Sequence, residues 1–87
     1  MFIVAEHDIT NKEAFLGSAK QVVEGVPQGL KPLQFLPSTD STRAVCLWEA
    51  QSVEAVKNYL EPKIGNSARN TYYAIDSKAA IGLPVGV

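Results

Sequence analysis

Residues 43–60 read RAVCLWEAQSVEAVKNYL, an apolar strand sequence that runs directly into an amphipathic helix. The first part is rich in β-forming residues and contains no breaker. Ser52 is the predicted N-cap of the helix, and Glu54 lies in its first turn, where the helix dipole favours an anion. Pro62 is predicted to end the helix near its last apolar residue. Helical spacing predicts a buried stripe that contains Val53, Val56 and Leu60.

A similar strand and helix precede this stretch. Residues 2–9, FIVAEHDI, predict a strand at the N-terminus. Thr10 and Glu13 have the spacing of a capping box, which predicts that a helix begins there. Gly25 is the predicted C-cap of this helix. The apolar residues that recur at helical spacing, and are predicted to be buried, are Phe15, Ala19, Val22, Val23 and Val26.

Two further strands complete the predicted order. Residues 30–36, LKPLQFL, form one of them, and Pro32 favours an edge position because proline cannot donate to a strand ladder. Residues 71–76, TYYAID, form the other. The order strand, helix, strand, strand, helix, strand predicts a ferredoxin-like α+β fold. We therefore expect a single domain over residues 1–87, with a four-stranded antiparallel sheet and two helices on one face.

Composition excludes several classes of function. The chain has 87 residues and a net charge of −1, which argues against nucleic-acid binding. The start of the chain is too short and too early charged for a signal peptide or a membrane span, so a soluble cytoplasmic protein is expected. Cys46 is the single cysteine and is interpreted as a buried apolar thiol. No cofactor or metal site is predicted.

The second face of the predicted sheet has no helix to cover it. The strands nevertheless carry apolar residues on both faces, so a homodimer through the sheet face is predicted. The tail of residues 79–87 is apolar and is predicted to dock on a sheet edge or on a partner subunit. Both expectations concern surfaces that a monomer would leave in contact with water.

Alternation divides every strand into two sets of side chains. One set is bulky and aliphatic, with Val4 and Leu47 as examples, and is predicted to pack on the helices. The other set mixes small residues with polar and aromatic ones, a composition typical of a pocket wall, and is predicted to line a cavity between two sheets. His7 is the candidate catalytic residue because its ordinary pKa is near neutrality. The predicted ligand-binding residues are His7, Gln34, Trp48 and Tyr72.

The chain resembles the dimeric α+β barrel superfamily in its size and in the order of its elements. The resemblance also includes residues 45–60, VCLWEAQSVEAVKNYL, where an apolar strand runs directly into a helix. Antibiotic-biosynthesis-type monooxygenases and muconolactone-isomerase-like proteins belong to this superfamily. The resemblance implies two sheets packed into a barrel that holds small organic ligands, with Trp48 matching a strand tryptophan that borders the cavity. The monooxygenases tend to carry a histidine in the following helix, where this chain has VKNY at 56–59. A small family with nickel-binding members shares similar stretches.

These observations predict a small-ligand-binding dimeric barrel. Its enzymatic version would be a cofactor-independent oxygenase or isomerase that acts on a planar organic molecule. In that version His7 would move a proton while Trp48 and Tyr72 hold the ring. Two alternatives remain open: a non-catalytic assembly protein whose barrel is filled by its own side chains, and a metal-binding protein.

Overall fold

The computed structural model describes residues 1–84, which form one four-stranded sheet and two helices. In chain order the elements are β1 (Phe2–Ile9), α1 (Lys12–Glu24), β2 (Lys31–Pro37), β3 (Arg43–Glu49), α2 (Val53–Ile64) and β4 (Ala68–Ala74). The strands lie in the order β2-β3-β1-β4, and each neighbouring pair is antiparallel. Core residues of both helices pack together with one face of the sheet. The predicted ferredoxin-like α+β fold is confirmed.

The helix starts follow side-chain capping. Ser52 caps α2 as predicted, because its hydroxyl accepts from the amide of Ala55. The N-cap of α1 is Asn11 and not Thr10, so the predicted capping box is wrong by one residue. Asn11 Oδ1 accepts from the amide of Ala14, whereas the Thr10 amide donates to the carbonyl of Ser67. The chain before α1 is therefore tied to the connection between α2 and β4.

The end of α2 and the start of β4 differ most from the sequence prediction. Helix α2 continues past Pro62 to Ile64, because one proline in the last turns removes a single backbone donor while the Gly65 amide still bonds to Glu61. Strand β4 begins at Ala68, three positions before the predicted start at Thr71. The full length of β1 offers it a partner, with Ala68 opposite Ile9.

The core lies between the helices and the face of the sheet that carries Ile3, Ala5 and His7. The prediction assigned this face to an inter-sheet cavity and the bulky face to the helices, and that assignment is wrong. Small side chains at Ala5 and Ala44 leave the room that the helices need for their large core residues. The buried core of the domain consists of Ile3, Ala5, Phe15, Val22, Ala44, Trp48, Ala50, Val56, Leu60, Ile64 and Ala68.

The opposite face of the sheet, here called the open face, carries the bulky aliphatic set. Cross-strand pairing places Gln34, Leu47, Val4 and Tyr73 in one row across the four strands. Leu47 is buried by its neighbours, whereas Tyr73 is 44% exposed. The next row contains Leu36 and Val45, which are 57% and 39% exposed. An apolar surface therefore runs across the middle of the open face.

The C-terminal tail follows a turn in which the amides of Ala79 and Ala80 donate to the carbonyl of Asp76. Ile81 is 99% exposed within the chain. Residues 85–87 lie outside the described residues, and docking of the tail stays a prediction. Within residues 1–84, neither helix has the length and apolar character that a membrane crossing requires.

Candidate functional site

A cavity of about 400 Å³ lies between α1 and the part of the sheet formed by β2 and β3. Its volume falls in the range of roughly 300–1,000 Å³ that small-molecule sites occupy. Polar atoms enter the wall from His7 on β1 and from Cys46 and Trp48 on β3. The apolar part of the wall includes Phe15, Ala19, Val22, Leu33, Phe35 and Leu60.

The register of β1 and β3 brings His7 and Cys46 together. Ala5 lies opposite Cys46 and His7 lies opposite Ala44, so His7 and Cys46 are diagonal neighbours on the helix side of the sheet. His7 Nε2 is 3.1 Å from Cys46 Sγ. His7 is only 2% exposed, and its ring centroid is 5.1 Å from that of Phe15. The imidazole is therefore held between a thiol and an aromatic side chain.

A chain of hydrogen bonds sets the direction of every donor around His7. The Glu61 carboxylate accepts at Oε2 from the Tyr72 hydroxyl at 2.5 Å and from Asn70 Nδ2 at 2.8 Å. Asn70 therefore presents its Oδ1 to His7 Nδ1, 2.6 Å away. An amide oxygen only accepts, so the His7 proton lies on Nδ1 and the lone pair lies on Nε2. The Cys46 thiol consequently donates to Nε2.

Burial of the side chains in this cluster changes the pKa values of His7, Cys46 and Tyr72. Desolvation lowers the pKa of His7 below 6.5, although Asn70 and Glu61 oppose the change. Desolvation raises the pKa of Cys46 to about 12, and the Trp48 indole opposes that rise. Burial and then the bond to Glu61 raise the pKa of Tyr72. The resting cluster therefore contains a neutral imidazole, a thiol and a protonated phenol that donates.

Trp48 contributes a polar atom that the folded chain does not satisfy. The side chain is 2% exposed, and Nε1 has no hydrogen-bond partner among residues 1–84. Its ring meets that of Tyr59 edge-on, with centroids 6.1 Å apart. The Tyr59 hydroxyl donates to the carbonyl of Val22, which joins α2 to α1. Trp48 is therefore a fixed part of the cavity wall. Its indole N–H lies close enough to Cys46 to oppose the rise in the pKa of that thiol, but it makes no hydrogen bond within residues 1–84.

The structure brings together two of the four predicted ligand-binding side chains. His7 and Trp48 line the cavity on the helix side of the sheet. Gln34 borders the same cavity next to the irregularity of β2, but it pairs with Leu47 and belongs to the open face. Tyr72 packs against α2 through its bond to Glu61. The predicted position of His7 in a cavity between two sheets is wrong, because His7 faces the helices.

Sequence reasoning missed three members of the cluster. Cys46 already shared a face with His7 by alternation, but only the strand register shows that the two side chains touch. Asn70 lies just before the predicted strand of residues 71–76, but it belongs to β4. Glu61 lies in the part of α2 next to Pro62, where the helix was predicted to end.

Within the described range 1–84, no group of three or more His, Cys, Asp or Glu side chains is arranged to hold a metal ion. Comparison of the chain with protein-family models, with curated proteins and with solved structures gives no match. The cavity and the polar cluster in its wall are the features of this chain that indicate a function.

Proposed function

We propose that the protein binds a small, largely apolar organic molecule in the cavity between α1 and the sheet. The observation that supports this most directly is a volume of about 400 Å³ with an apolar wall and a polar cluster at one side. Binding sites for small molecules combine a mostly apolar surface with a few polar groups that orient the ligand.

The wall favours a flat or chain-like ligand with one hydrogen-bond acceptor. The rings of His7, Phe15 and Phe35 follow one another, with centroid distances of 5.1 Å and 6.2 Å, and offer aromatic surface. The unpaired Trp48 indole offers one donor. Both ring nitrogens of His7 are engaged, so the oxygenase or isomerase version requires Nε2 to leave Cys46 before it exchanges a proton with the ligand.

The proposed assembly is a two-fold dimer through the open face, as in the dimeric α+β barrel superfamily that the chain resembles. Monomers rarely expose a contiguous apolar patch larger than a few hundred Å². Leu36, Val45 and Tyr73 lie on the open face and are all more than one-third exposed. The cavity lies on the other side of the sheet, so this proposal separates ligand binding from dimerisation.

Ligand binding is tested by filling the cavity. Ala19 lines it from α1, and Ala19→Phe would occupy part of its volume. Gln21 is exposed on the same helix, so Gln21→Phe is the matched control. Trp48, the single tryptophan, reports binding of naphthalene and of hexanamide through its fluorescence. We expect saturable binding to the wild type and to the control, and affinity about tenfold or more weaker in Ala19→Phe. Equal affinities in all three proteins would contradict the proposed site.

Native mass spectrometry of the purified protein provides a second test. A bound small molecule that survives purification from wild type and is lost from Ala19→Phe would support the cavity as its site. A ligand retained equally by both proteins would place it elsewhere on the chain.

A further inference from the structure

We propose that Cys46 is an acyl-transfer nucleophile with His7 as its general base, and that the substrate is an ester or thioester with an apolar acyl group. This inference rests on the proposed function, because the acyl group would occupy the same cavity. Cys46 and His7 both line that cavity, and Sγ and Nε2 are 3.1 Å apart. A nucleophile within reach of a base that a third side chain orients is the arrangement of nucleophilic catalysis.

The third side chain is Asn70, which acts as a positioning residue. Its Oδ1 holds the Nδ1 proton of His7 and so keeps the Nε2 lone pair directed at the thiol. Its own orientation is set by the bond from Nδ2 to Glu61. The three groups come from adjacent strands, β3, β1 and β4, so the arrangement is built on the rigid sheet and not on a loop.

Trp48 provides a second observation, a buried indole N–H beside the Cys46 thiol. A buried donor without a partner is uncommon and costs stability, which suggests that its acceptor arrives with a ligand. Trp48 belongs to the same strand as Cys46 and to the same cavity wall. Within the described chain its Nε1 is unpaired, and the oxygen of a substrate carbonyl bound at Cys46 is an acceptor of the required kind.

The burial of the thiol determines how the attack proceeds. Cys46 is a neutral thiol in the ligand-free protein because burial raises its pKa. It is therefore not a thiolate that could react with electrophiles in solution. His7 instead removes the proton at the moment when a bound carbonyl carbon is within reach. This restricts reaction to molecules that enter the cavity and bring their carbonyl group to Sγ.

The first half of the reaction transfers the acyl group to the protein. The Cys46 proton passes to His7 Nε2 while Sγ forms a bond to the carbonyl carbon, and the carbonyl oxygen accepts from the Trp48 indole. The bond to the alkoxide or thiolate leaving group then breaks, and the leaving group takes the proton from Nε2. The products are an acyl thioester on Cys46 and a free alcohol or thiol.

The second half uses water as the co-reactant. His7 Nε2 takes a proton from the water while its oxygen bonds to the thioester carbon. Cys46 leaves as a thiolate and receives the proton back from Nε2. The net reaction consumes one water and one ester or thioester and yields a carboxylic acid and an alcohol or thiol, with no change in oxidation state.

The test incubates the full chain with p-nitrophenyl hexanoate and measures both p-nitrophenolate release and intact protein mass. We expect a burst of release, a mass increase of one hexanoyl group, and peptide mapping that places this group on Cys46. We expect the burst rate to fall about 100-fold or more in His7→Gln, because general-base catalysis supplies at least that factor. Near-ultraviolet circular dichroism at Trp48 shows whether each variant keeps the wild-type fold.

The positioning role of Asn70 has its own readout. In wild type the burst rate should rise with pH through a transition below 6.5, where His7 becomes neutral. In Asn70→Ala the transition should occur at a different pH and have a smaller amplitude, because Asn70 no longer accepts the Nδ1 proton of His7. An unchanged pH profile with a lower melting temperature would indicate a structural role alone and would overturn the assignment.

The outcomes separate this inference from ligand binding. Hexanamide has the same acyl chain but a poor leaving group, and Trp48 fluorescence measures its binding. Binding of hexanamide to wild type without an adduct on Cys46 after exposure to the ester would overturn the nucleophile assignment and leave the ligand-binding proposal intact. An adduct confined to lysines, or equal release by Cys46→Ser and wild type, would also overturn it. The wild-type peptide map decides the question even where a variant does not fold.

Discussion

His7 Nε2 lies 3.1 Å from Cys46 Sγ, although the two residues are 39 positions apart in the chain. The contact exists because β1 and β3 are antiparallel neighbours with Ala5 opposite Cys46. A register slip of one residue would move every side chain of β1 to the other face of the sheet. The His7–Cys46 contact therefore depends on the register of this strand pair.

The bond from Tyr72 to Glu61 should contribute more to stability than the chemically identical bond from Tyr73 to Glu6. Tyr72 donates to Glu61 in the partly buried cluster at 2.5 Å, whereas Tyr73 donates to Glu6 at 2.6 Å on the open face, where water competes. We expect Tyr72→Phe to lower the free energy of unfolding by about 1.5–3 kcal/mol, the range for bonds to charged groups.

Tyr73→Phe is the matched control in the monomer, where it removes the same hydroxyl from an exposed pair, so both variants are compared in the Val45→Lys background that is expected to be monomeric. We expect its effect to stay within about 0.5 kcal/mol. Urea unfolding of the Val45→Lys protein and of both variants in that background measures the difference. Equal losses in the two variants would show that the cluster around Glu61 has no special role.

Stability should depend on pH through His7. The groups that face its ring are Cys46 from β3, Asn70 from β4, Glu61 from α2 and Phe15 from α1. Burial lowers its pKa in the folded state below the 6.5 of the unfolded chain. As pH falls below 6.5, the unfolded state binds a proton before the folded state does. The free energy of unfolding should therefore fall with pH in that window and level off above it.

His7→Gln isolates this contribution, because the variant keeps every carboxylate of the chain and removes only the imidazole. Chemical unfolding at about pH 7.5, 6.5 and 5.5 spans the ordinary pKa of histidine. We expect the stability of the wild type relative to His7→Gln to shrink as the pH falls. A constant difference over the whole series would mean that the imidazole takes up its proton equally in both states.

Element order and fold class could be predicted from the sequence because they depend on local signals. Capping at Ser52, the edge preference of Pro32 and helical periodicity all act within a few residues. The boundaries that failed depend on partners distant in sequence. Thr10 has a side chain that can cap a helix, but its backbone amide donates to the carbonyl of Ser67. Strand β4 extends back to Ala68 because Ile9 of β1 lies opposite that residue.

The face assignment failed for a different physical reason. Both faces of this sheet carry apolar side chains, so residue type alone does not show which face the helices cover. The small side chains of this face, such as Ala5, were interpreted as part of a pocket wall, whereas the space that they leave is filled by the helices. His7 and Trp48 could still be proposed together, because the prediction placed them on one face, whereas Gln34 pairs with Leu47 on the open face. Cys46, Asn70 and Glu61 required the register of three strands and the docking of α2.

Trp48 and Leu47 are neighbours on β3 that point to opposite faces, so their truncation should have different consequences. Trp48 packs under the helices, and Trp48→Ala should cost about 3–5 kcal/mol of folding free energy. It should leave any dependence of the unfolding midpoint on protein concentration as in wild type. Leu47→Ala removes a buried side chain of the open face, and it should weaken that dependence as well as folding.

Urea unfolding at two protein concentrations that differ by about a hundredfold separates the cases, because only a dimer links stability to concentration. Loss of the concentration dependence in Trp48→Ala, with its retention in Leu47→Ala, would place the interface on the helix side and contradict the proposed assembly.

Val45→Lys should separate the proposed dimer while leaving the monomer folded. Val45 is 39% exposed on the open face and lies directly opposite Glu6 on β1, so a lysine there gains a cross-strand partner of opposite charge in the monomer. In a sheet-to-sheet dimer the same ammonium would be buried against apolar side chains, at a cost that association does not recover. Leu16→Lys is the matched control, because Leu16 is 42% exposed on α1, away from the open face. Sedimentation equilibrium at micromolar concentration should show a dimer for wild type and Leu16→Lys and a monomer for Val45→Lys. A wild type that sediments as a monomer, or a Val45→Lys that remains a dimer, would reject the open face as the interface.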